Sequence, residues 1–115
     1  MIVELVTFRA TPGADWDAIL AEARATIPRW RANPQLVRKH YLLSEDGAEC
    51  AGLYIWPTRA AAQAAHDATW QAAVVQRTGA APTICYFELQ MLLDNEAGTV
   101  TEWSQAGEKS VRPTS

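Results

Sequence analysis

The sequence predicts an α+β fold, in which four antiparallel strands and two helices follow the order β-α-β-β-α-β of ferredoxin-like domains. Short runs of β-branched and aromatic residues alternate with two segments of helical periodicity, and clusters that contain glycine or proline separate them. The length of 115 residues and the apolar fraction of 49% fit one globular domain with its own core.

The first strand and the first helix occupy the N-terminal third of the sequence. Residues 2–9, IVELVTFR, predict a strand because β-branched and aromatic types dominate. The helix is predicted from Asp15, which suits the N-cap position. Pro28 is expected to kink this helix or to end it early, since proline removes a helical hydrogen bond. Six apolar residues recur at helical spacing and form one stripe: Trp16, Ile19, Leu20, Ala23, Ile27 and Trp30.

The middle of the sequence predicts a hairpin. Leu36 to Ser44 and Cys50 to Trp56 are its two strands, and residues 45–49 form the turn, in which Asp-Gly supplies a tolerant backbone. A helix follows from Arg59, with Thr58 as its N-cap.

The second helix is expected to break before the last strand begins. Residues 66–69, HDAT, interrupt the alanine-rich pattern, and a new helical turn is predicted from Trp70 to Arg77. Gly79 suits the end of this helix. The last strand is predicted over Thr83 to Leu93, so the ferredoxin-like domain spans residues 1–93. Residues 94–115 are predicted to form a C-terminal tail that docks on a partner subunit, with a short added strand around 99–103.

These elements predict a sheet with the strand order 4-1-3-2 and both helices on one face. Both faces of the strands are apolar: Ile2, Val6 and Phe8 alternate with Val3 and Leu5 on the first strand. The uncovered face therefore needs a partner, and we expect a homodimer that packs sheet against sheet.

Charge and motif content exclude several classes of function. Ten basic and 13 acidic residues leave a net charge of −3, with no basic run for nucleic acid or an anionic membrane. No membrane-spanning segment, signal peptide, phosphate loop or metal motif is visible, so we expect a cytoplasmic protein that holds no metal. Cys50 and Cys85 are expected to stay unpaired, since the strands that carry them flank the first strand.

Three segments resemble the YdhR-type monooxygenase family. Residues 36–42, LVRKHYL, are similar to its second strand, and residues 52–62, GLYIWPTRAAA, to its Gly-x-Tyr-x-Trp strand and the helix that follows. Residues 79–84, GAAPTI, and 86–88, YFE, are similar to its last connection and strand. The resemblance spans roughly residues 1–93.

The resemblance implies a dimeric α+β barrel, in which two ferredoxin-like domains pair through their sheets. It also implies a cofactor-independent monooxygenase that acts on a small aromatic or polyketide-like compound. In such a reaction a base deprotonates the substrate, which then reacts with O₂, and no cofactor is required. Residues 65–67, AHD, depart from the family, which commonly carries an aromatic pair at this place.

The two histidines, His66 and His40, are the candidate bases, since imidazole titrates near neutral pH. His66 and Trp70 lie one helical turn apart and can share a face. His40 lies on an edge strand, where a dimer contact is the alternative role. The candidate substrate-binding residues are aromatic, and for them core packing is the alternative: Tyr54, Trp56, Trp70, Tyr86 and Trp16.

Two other functions stay open at this level. The chain could serve as a non-catalytic dimeric protein that binds a small apolar molecule in the same pocket. It could also bind haem, which would require an accessible axial histidine.

Overall fold

The computed structural model describes all 115 residues, which form seven strands and three helices. The elements are β1 (Ile2–Arg9), α1 (Trp16–Arg31), β2 (Arg38–Leu43), β3 (Glu49–Trp56), α2 (Arg59–Ala65), α3 (Ala68–Thr78), β4 (Thr83–Glu88), β5 (Met91–Asp94), β6 (Thr99–Trp103) and β7 (Lys109–Pro113).

The first sheet has the order β2-β3-β1-β4, and every neighbouring pair is antiparallel. This confirms the predicted 4-1-3-2 order and the ferredoxin-like arrangement. Alternate residues of β1 and β3 face the helices, where Val6, Tyr54 and Trp56 pack with Trp30 of α1 and Ala62 of α2. The core therefore lies between one face of the sheet and the helices.

From the sequence, Pro28 is expected to kink α1 or to end it early. The early end is wrong, because the helix continues to Arg31. Pro28 is exposed, and its carbonyl still accepts the backbone N–H of Ala32 at 3.1 Å. Trp30 is 6% exposed within the core. Burial of this large side chain offsets the lost hydrogen bond and keeps the last turn of α1 helical.

The predicted break in the second helix is confirmed, since α2 ends at Ala65 and α3 begins at Ala68. The Asp67 side chain accepts the backbone N–H of Trp70 at 2.9 Å and so caps α3. His66 takes a non-helical conformation between the two helices. At the other end Gly79 adopts a positive φ of 80° and ends α3, as predicted.

The predicted last strand, Thr83 to Leu93, is wrong, because it consists of two strands in different sheets. β4 ends at Glu88, and β5 joins β6 and β7 in a separate antiparallel sheet. At the junction the Leu89 N–H donates to the Met1 carbonyl, in register with the pairing of β4 and β1, and the Gln90 carbonyl accepts the Trp103 N–H, in register with the pairing of β5 and β6. The short strand expected at 99–103 is β6, whereas β7 was not predicted.

The second sheet gives the molecule an elongated shape, 46 Å along its longest axis and 23 Å along its shortest. Met91, Leu93 and Val111 on this sheet are each more than half exposed. The boundary at residue 93 and the docking of residues 94–115 on a partner subunit stay predictions.

The face of the first sheet that points away from the helices is apolar. Val3, Leu5, Leu53 and Ile55 are only half-buried there, and Phe87 is 61% exposed. We call this surface the outer face.

Cys50 and Cys85 are free, as expected, with β1 between their strands. No helix is long and apolar enough to cross a membrane.

Candidate functional site

A buried polar cluster lies between the sheet and the break between α2 and α3. Glu4 of β1 is fully buried, and its Oε1 lies 2.8 Å from Nδ1 of His66. The same oxygen accepts the indole N–H of Trp56 at 2.9 Å. These three residues bring together β1, β3 and the end of α2.

The strand register explains how the cluster forms. Glu4 occupies a helix-facing position of β1, directly opposite Tyr54 of β3 and Tyr86 of β4. Trp56 lies two residues after Tyr54 and therefore points to the same side. Because the helix breaks at His66, its ring meets the Glu4 carboxylate from the other side of the core.

Four aromatic rings surround His66. The ring centroids of Trp70 and Tyr54 lie 4.4 and 4.6 Å from that of the imidazole, and those of Trp30 and Trp56 lie 5.1 and 6.5 Å away. The imidazole is closed to solvent, and neither of its nitrogens makes a hydrogen bond of good geometry, although Nδ1 lies 2.8 Å from Oε1 of Glu4. A substrate atom reaches Nε2 only if a surrounding side chain moves.

Gly52 decides where the ring of Tyr54 lies. A Cβ atom at position 52 would stand 2.5 Å from Cε1 of Tyr54, closer than any real contact. The ring therefore lies over the glycine backbone and contacts Trp30 edge-on at a centroid distance of 5.1 Å. This contact explains physically why glycine and tyrosine share this strand two residues apart.

On the side of Tyr54 away from His66, a cavity of about 170 Å³ separates α1 from the sheet; we call it the α1 cavity. Its walls are mainly apolar, with Trp16 at 68% exposure among the lining residues. Polar side chains also line it, and those of Thr26, Lys39 and Tyr41 lie together on one part of the wall. Apolar walls with a few polar groups are typical of small-molecule sites.

Lys39 is the unusual group of this cavity. Its Nζ lies 4.0 Å from the ring centroid of Tyr41, 4.5 Å from that of Trp30 and 4.7 Å from that of Tyr54. Burial, reinforced by the positive charge of Arg29, lowers the pKa of the Lys39 amine from 10.5 to about 7.

Tyrosine hydroxyls in this region stay protonated. Burial first, and then the negative charge of Glu4, raise the pKa values of Tyr54 and Tyr86. Both can therefore donate hydrogen bonds at neutral pH.

The structure brings some of the predicted site residues together and separates others. Tyr54, Trp56 and Trp70 surround His66, whereas Trp16 lies on the α1 cavity. Tyr86 lies opposite Glu4 and borders, together with His66, a recess near the α2–α3 break, beneath the Arg59 guanidinium. His40 is exposed on the outer face of β2, where it cannot reach the α1 cavity.

Sequence reasoning missed Glu4 and Lys39. Glu4 is a lone charged residue inside an apolar strand, at a position that shares the face of Val6. Lys39 lies two residues before Tyr41 on β2, so both side chains lie on the same face of the strand. A charge in phase with core residues was the available signal in both cases.

The fold and the cavity define a class of structure, a ferredoxin-like α+β domain with a pocket between its sheet and helices. No family model and no curated protein matches the sequence. Solved structures do match, and among them are antibiotic biosynthesis monooxygenases.

Three of these solved structures illustrate the likeness. An antibiotic biosynthesis monooxygenase shares 15% identity at a TM-score of 0.59, over 77% of this chain and 98% of that one. The monooxygenase ActVA-Orf6 of Streptomyces coelicolor, solved with nanaomycin D, shares 18% identity at a TM-score of 0.61, over 80% of this chain and 89% of that one. SnoaB of Streptomyces nogalater, a cofactor-independent oxygenase, shares 16% identity at a TM-score of 0.53, over 80% of this chain and 95% of that one. The chain has the fold of these monooxygenases.

The buried pair predicts a strong coupling between Glu4 and His66. His66→Leu leaves the Glu4 carboxyl buried without its imidazole neighbour and should lower the free energy of unfolding by about 1–3 kcal/mol. The double variant Glu4→Leu/His66→Leu should lose less than the sum of the two single variants, as measured by urea unfolding. Arg112→Leu, which breaks the exposed pair with Glu102, is the control and should change little. Strictly additive losses at positions 4 and 66 would show that the pair does not couple.

Lys39 predicts a pH dependence of stability. Between pH 7 and pH 10.5 the unfolded chain holds the Lys39 proton and the folded chain has lost it. The contribution of Lys39 to the free energy of unfolding therefore rises with pH in this window. Relative to Lys39→Met, the wild type should gain free energy of unfolding as pH increases. Urea titrations at several pH values measure this difference. Lys39→Leu should behave like Lys39→Met; a constant difference contradicts the lowered pKa.

Proposed function

We propose that this chain is a cofactor-independent monooxygenase that binds a small aromatic or polyketide-like compound in the α1 cavity. The observation that carries the proposal is the cavity itself, a mainly apolar pocket lined in part by the aromatic side chains of Phe8, Trp16 and Tyr54. The fold shared with oxygenases supports it, and one of those proteins was solved with the ligand nanaomycin D. We also propose membership of the YdhR-type family, on the Gly52, Tyr54 and Trp56 pattern.

The proposed chemistry asks little of the protein. A base removes a proton from an electron-rich phenol or enol, and the resulting anion reacts with O₂. For a ring CH₂ group that becomes a carbonyl, one oxygen atom enters the product. The other oxygen leaves as water with the two hydrogens of that carbon, so O₂ is the oxidant and the balance closes. The apolar walls exclude water from the reactive anion.

The assignment of the base to a histidine stays a proposal with a structural condition. His66 is positioned by Glu4, as a carboxylate positions the imidazole in many catalytic pairs. Its ring, however, contacts the back of the wall that Tyr54 forms rather than the α1 cavity. His66 acts directly only if that wall opens, and His40 lies on the other side of the sheet.

Oxygen uptake tests the proposed activity. Anthrones or phenols should quench the tryptophan fluorescence of the purified protein when they bind, since Trp16 and Trp30 lie on or beside the α1 cavity. With 1,8-dihydroxyanthrone it should consume one O₂ per quinone formed, measured with an oxygen electrode and by absorbance. Leu20→Trp, which fills the cavity, should abolish both signals, whereas Ala25→Trp on the exposed side of α1 should keep them. Quenching without oxygen uptake from every compound would instead support the non-catalytic binding protein.

We further propose that the chain acts as a homodimer through the outer face. An exposed apolar sheet of this kind needs cover, and a second copy presents the same apolar surface. The elongated second sheet, with its exposed Met91, Leu93 and Val111, is proposed to dock on that second copy. The cytoplasmic location of the protein remains an expectation.

Light scattering tests the dimer. The wild type should have twice the 12.6 kDa mass of the single chain at micromolar concentration. Phe87→Asp should shift the mass to that of the monomer, because Phe87 is exposed in one copy and its replacement charge would be buried between two. Phe87→Leu keeps an apolar side chain and should stay dimeric. A wild-type mass of 12.6 kDa would rule out the homodimer.

A further inference from the structure

Lys39 is a partly buried amine without an acidic partner. The close carboxylate contacts of the chain are Glu4 with His66 and Glu102 with Arg112, so no carboxylate offsets the Lys39 charge. Three ring faces take that place, at 4.0 to 4.7 Å from Nζ. A cation held only by aromatic rings is open to an anionic ligand that supplies the missing negative charge.

The rings that hold Nζ are fixed in place. The Thr26 hydroxyl donates its one hydrogen to the Ala23 carbonyl at 2.7 Å. It therefore accepts a hydrogen bond from the Tyr41 hydroxyl at 3.0 Å. Tyr54 is fixed over Gly52. The Lys39 amine therefore has a defined position in the wall of the α1 cavity.

The other ionisable groups that face the cavity are less suited to accept a proton there. Arg9 and Arg77 cannot lose one, and burial raises the pKa of the Cys50 thiol. Glu22 accepts the Thr11 hydroxyl at 3.0 Å. Tyr41 and Tyr54 are donors, and Arg29 adds positive charge beside Lys39.

We propose that Lys39 is the catalytic residue that deprotonates the acidic hydroxyl of the substrate and holds the resulting anion, so the substrate is a phenol or enol rather than an uncharged hydrocarbon. This inference rests on the proposed function for the oxygenation that follows. The O–H bond breaks, its electron pair stays on oxygen, and the proton joins the lone pair of Nζ. No electron is transferred in this step, and O₂ enters only afterwards.

The electrostatics favour this step at neutral pH. With its pKa near 7, the amine is partly unprotonated before the substrate binds. Once the proton moves, ammonium and oxyanion lie side by side in an apolar cavity, where their attraction is strong. The three rings stabilise the ammonium that forms.

Spectra of a bound chromophoric phenol test the inference without oxygenation. 4-Nitrophenol, whose phenolate absorbs in the visible, should bind to the wild type as phenolate at a pH where the free compound is neutral. Lys39→Met should lose that band and bind at least about tenfold more weakly. Lys39→Arg keeps the charge and should retain the band. Lys109→Met, the same substitution at an exposed lysine of β7 outside the cavity, is the control and should resemble the wild type.

Turnover of 1,8-dihydroxyanthrone separates anion binding from proton transfer. Lys39→Arg should bind the anion yet lose about 100-fold in rate near pH 7, since a guanidinium accepts no proton, and should recover as rising pH ionises the substrate in solution. Lys39→Met should lose rate without that recovery. A phenolate band and a rate that both survive Lys39→Met would overturn the inference.

The two proposals fail in different ways. A Lys39-dependent phenolate band without oxygen uptake supports the inference and contradicts the oxygenase. Oxygen uptake that depends on His66 and not on Lys39 supports the oxygenase and overturns the inference. Circular dichroism of each variant excludes loss of fold as the cause.

Discussion

The contact between Glu4 and His66 is the constraint on which the rest of the interior depends. A carboxyl group buried in the middle of a sheet is stable only with strong polar partners around it, and here one oxygen accepts the Trp56 indole N–H and lies 2.8 Å from Nδ1 of His66. The helix has to break where it does for the imidazole to reach that oxygen, and Asp67 caps the new helix that begins beyond the break. The contact therefore fixes the placement of α2 and α3 on the sheet, and with it the aromatic rings.

Those rings divide the interior into two regions of different chemistry. Tyr54 and Trp30 contact the imidazole on one side and Nζ of Lys39 on the other. On the first side a carboxyl group lies against an imidazole, and both are closed to solvent. On the second, a charge is held by π faces beside a cavity. The first arrangement serves stability, and the second leaves a reactive group that a ligand can approach.

Much of the fold follows from local patterns. The alternation in β1 and β3, the capping residues Thr58 and Asp67, and Gly79 mark the elements, and the short connections restrict the strand order. Two expectations failed where distant contacts outweighed local preference. Burial of Trp30 keeps α1 helical past Pro28, and the pairing with β6 that begins at Gln90 places β5 in another sheet. Neither effect is visible in a window of neighbouring residues.

By itself the sequence determined the class of fold, the apolar character of both sheet faces and the aromatic content of the interior, because these depend on periodicity and composition. The tertiary structure decided which titratable groups meet. His40 and Lys39 are neighbours in the sequence, yet the alternation of β2 places one on the outer face and the other in the α1 cavity. His66 lies against Glu4, 62 positions away in the sequence, and does not line the α1 cavity. Chemical roles depend on distances, burial and opposing charges, and those are properties of the packed chain.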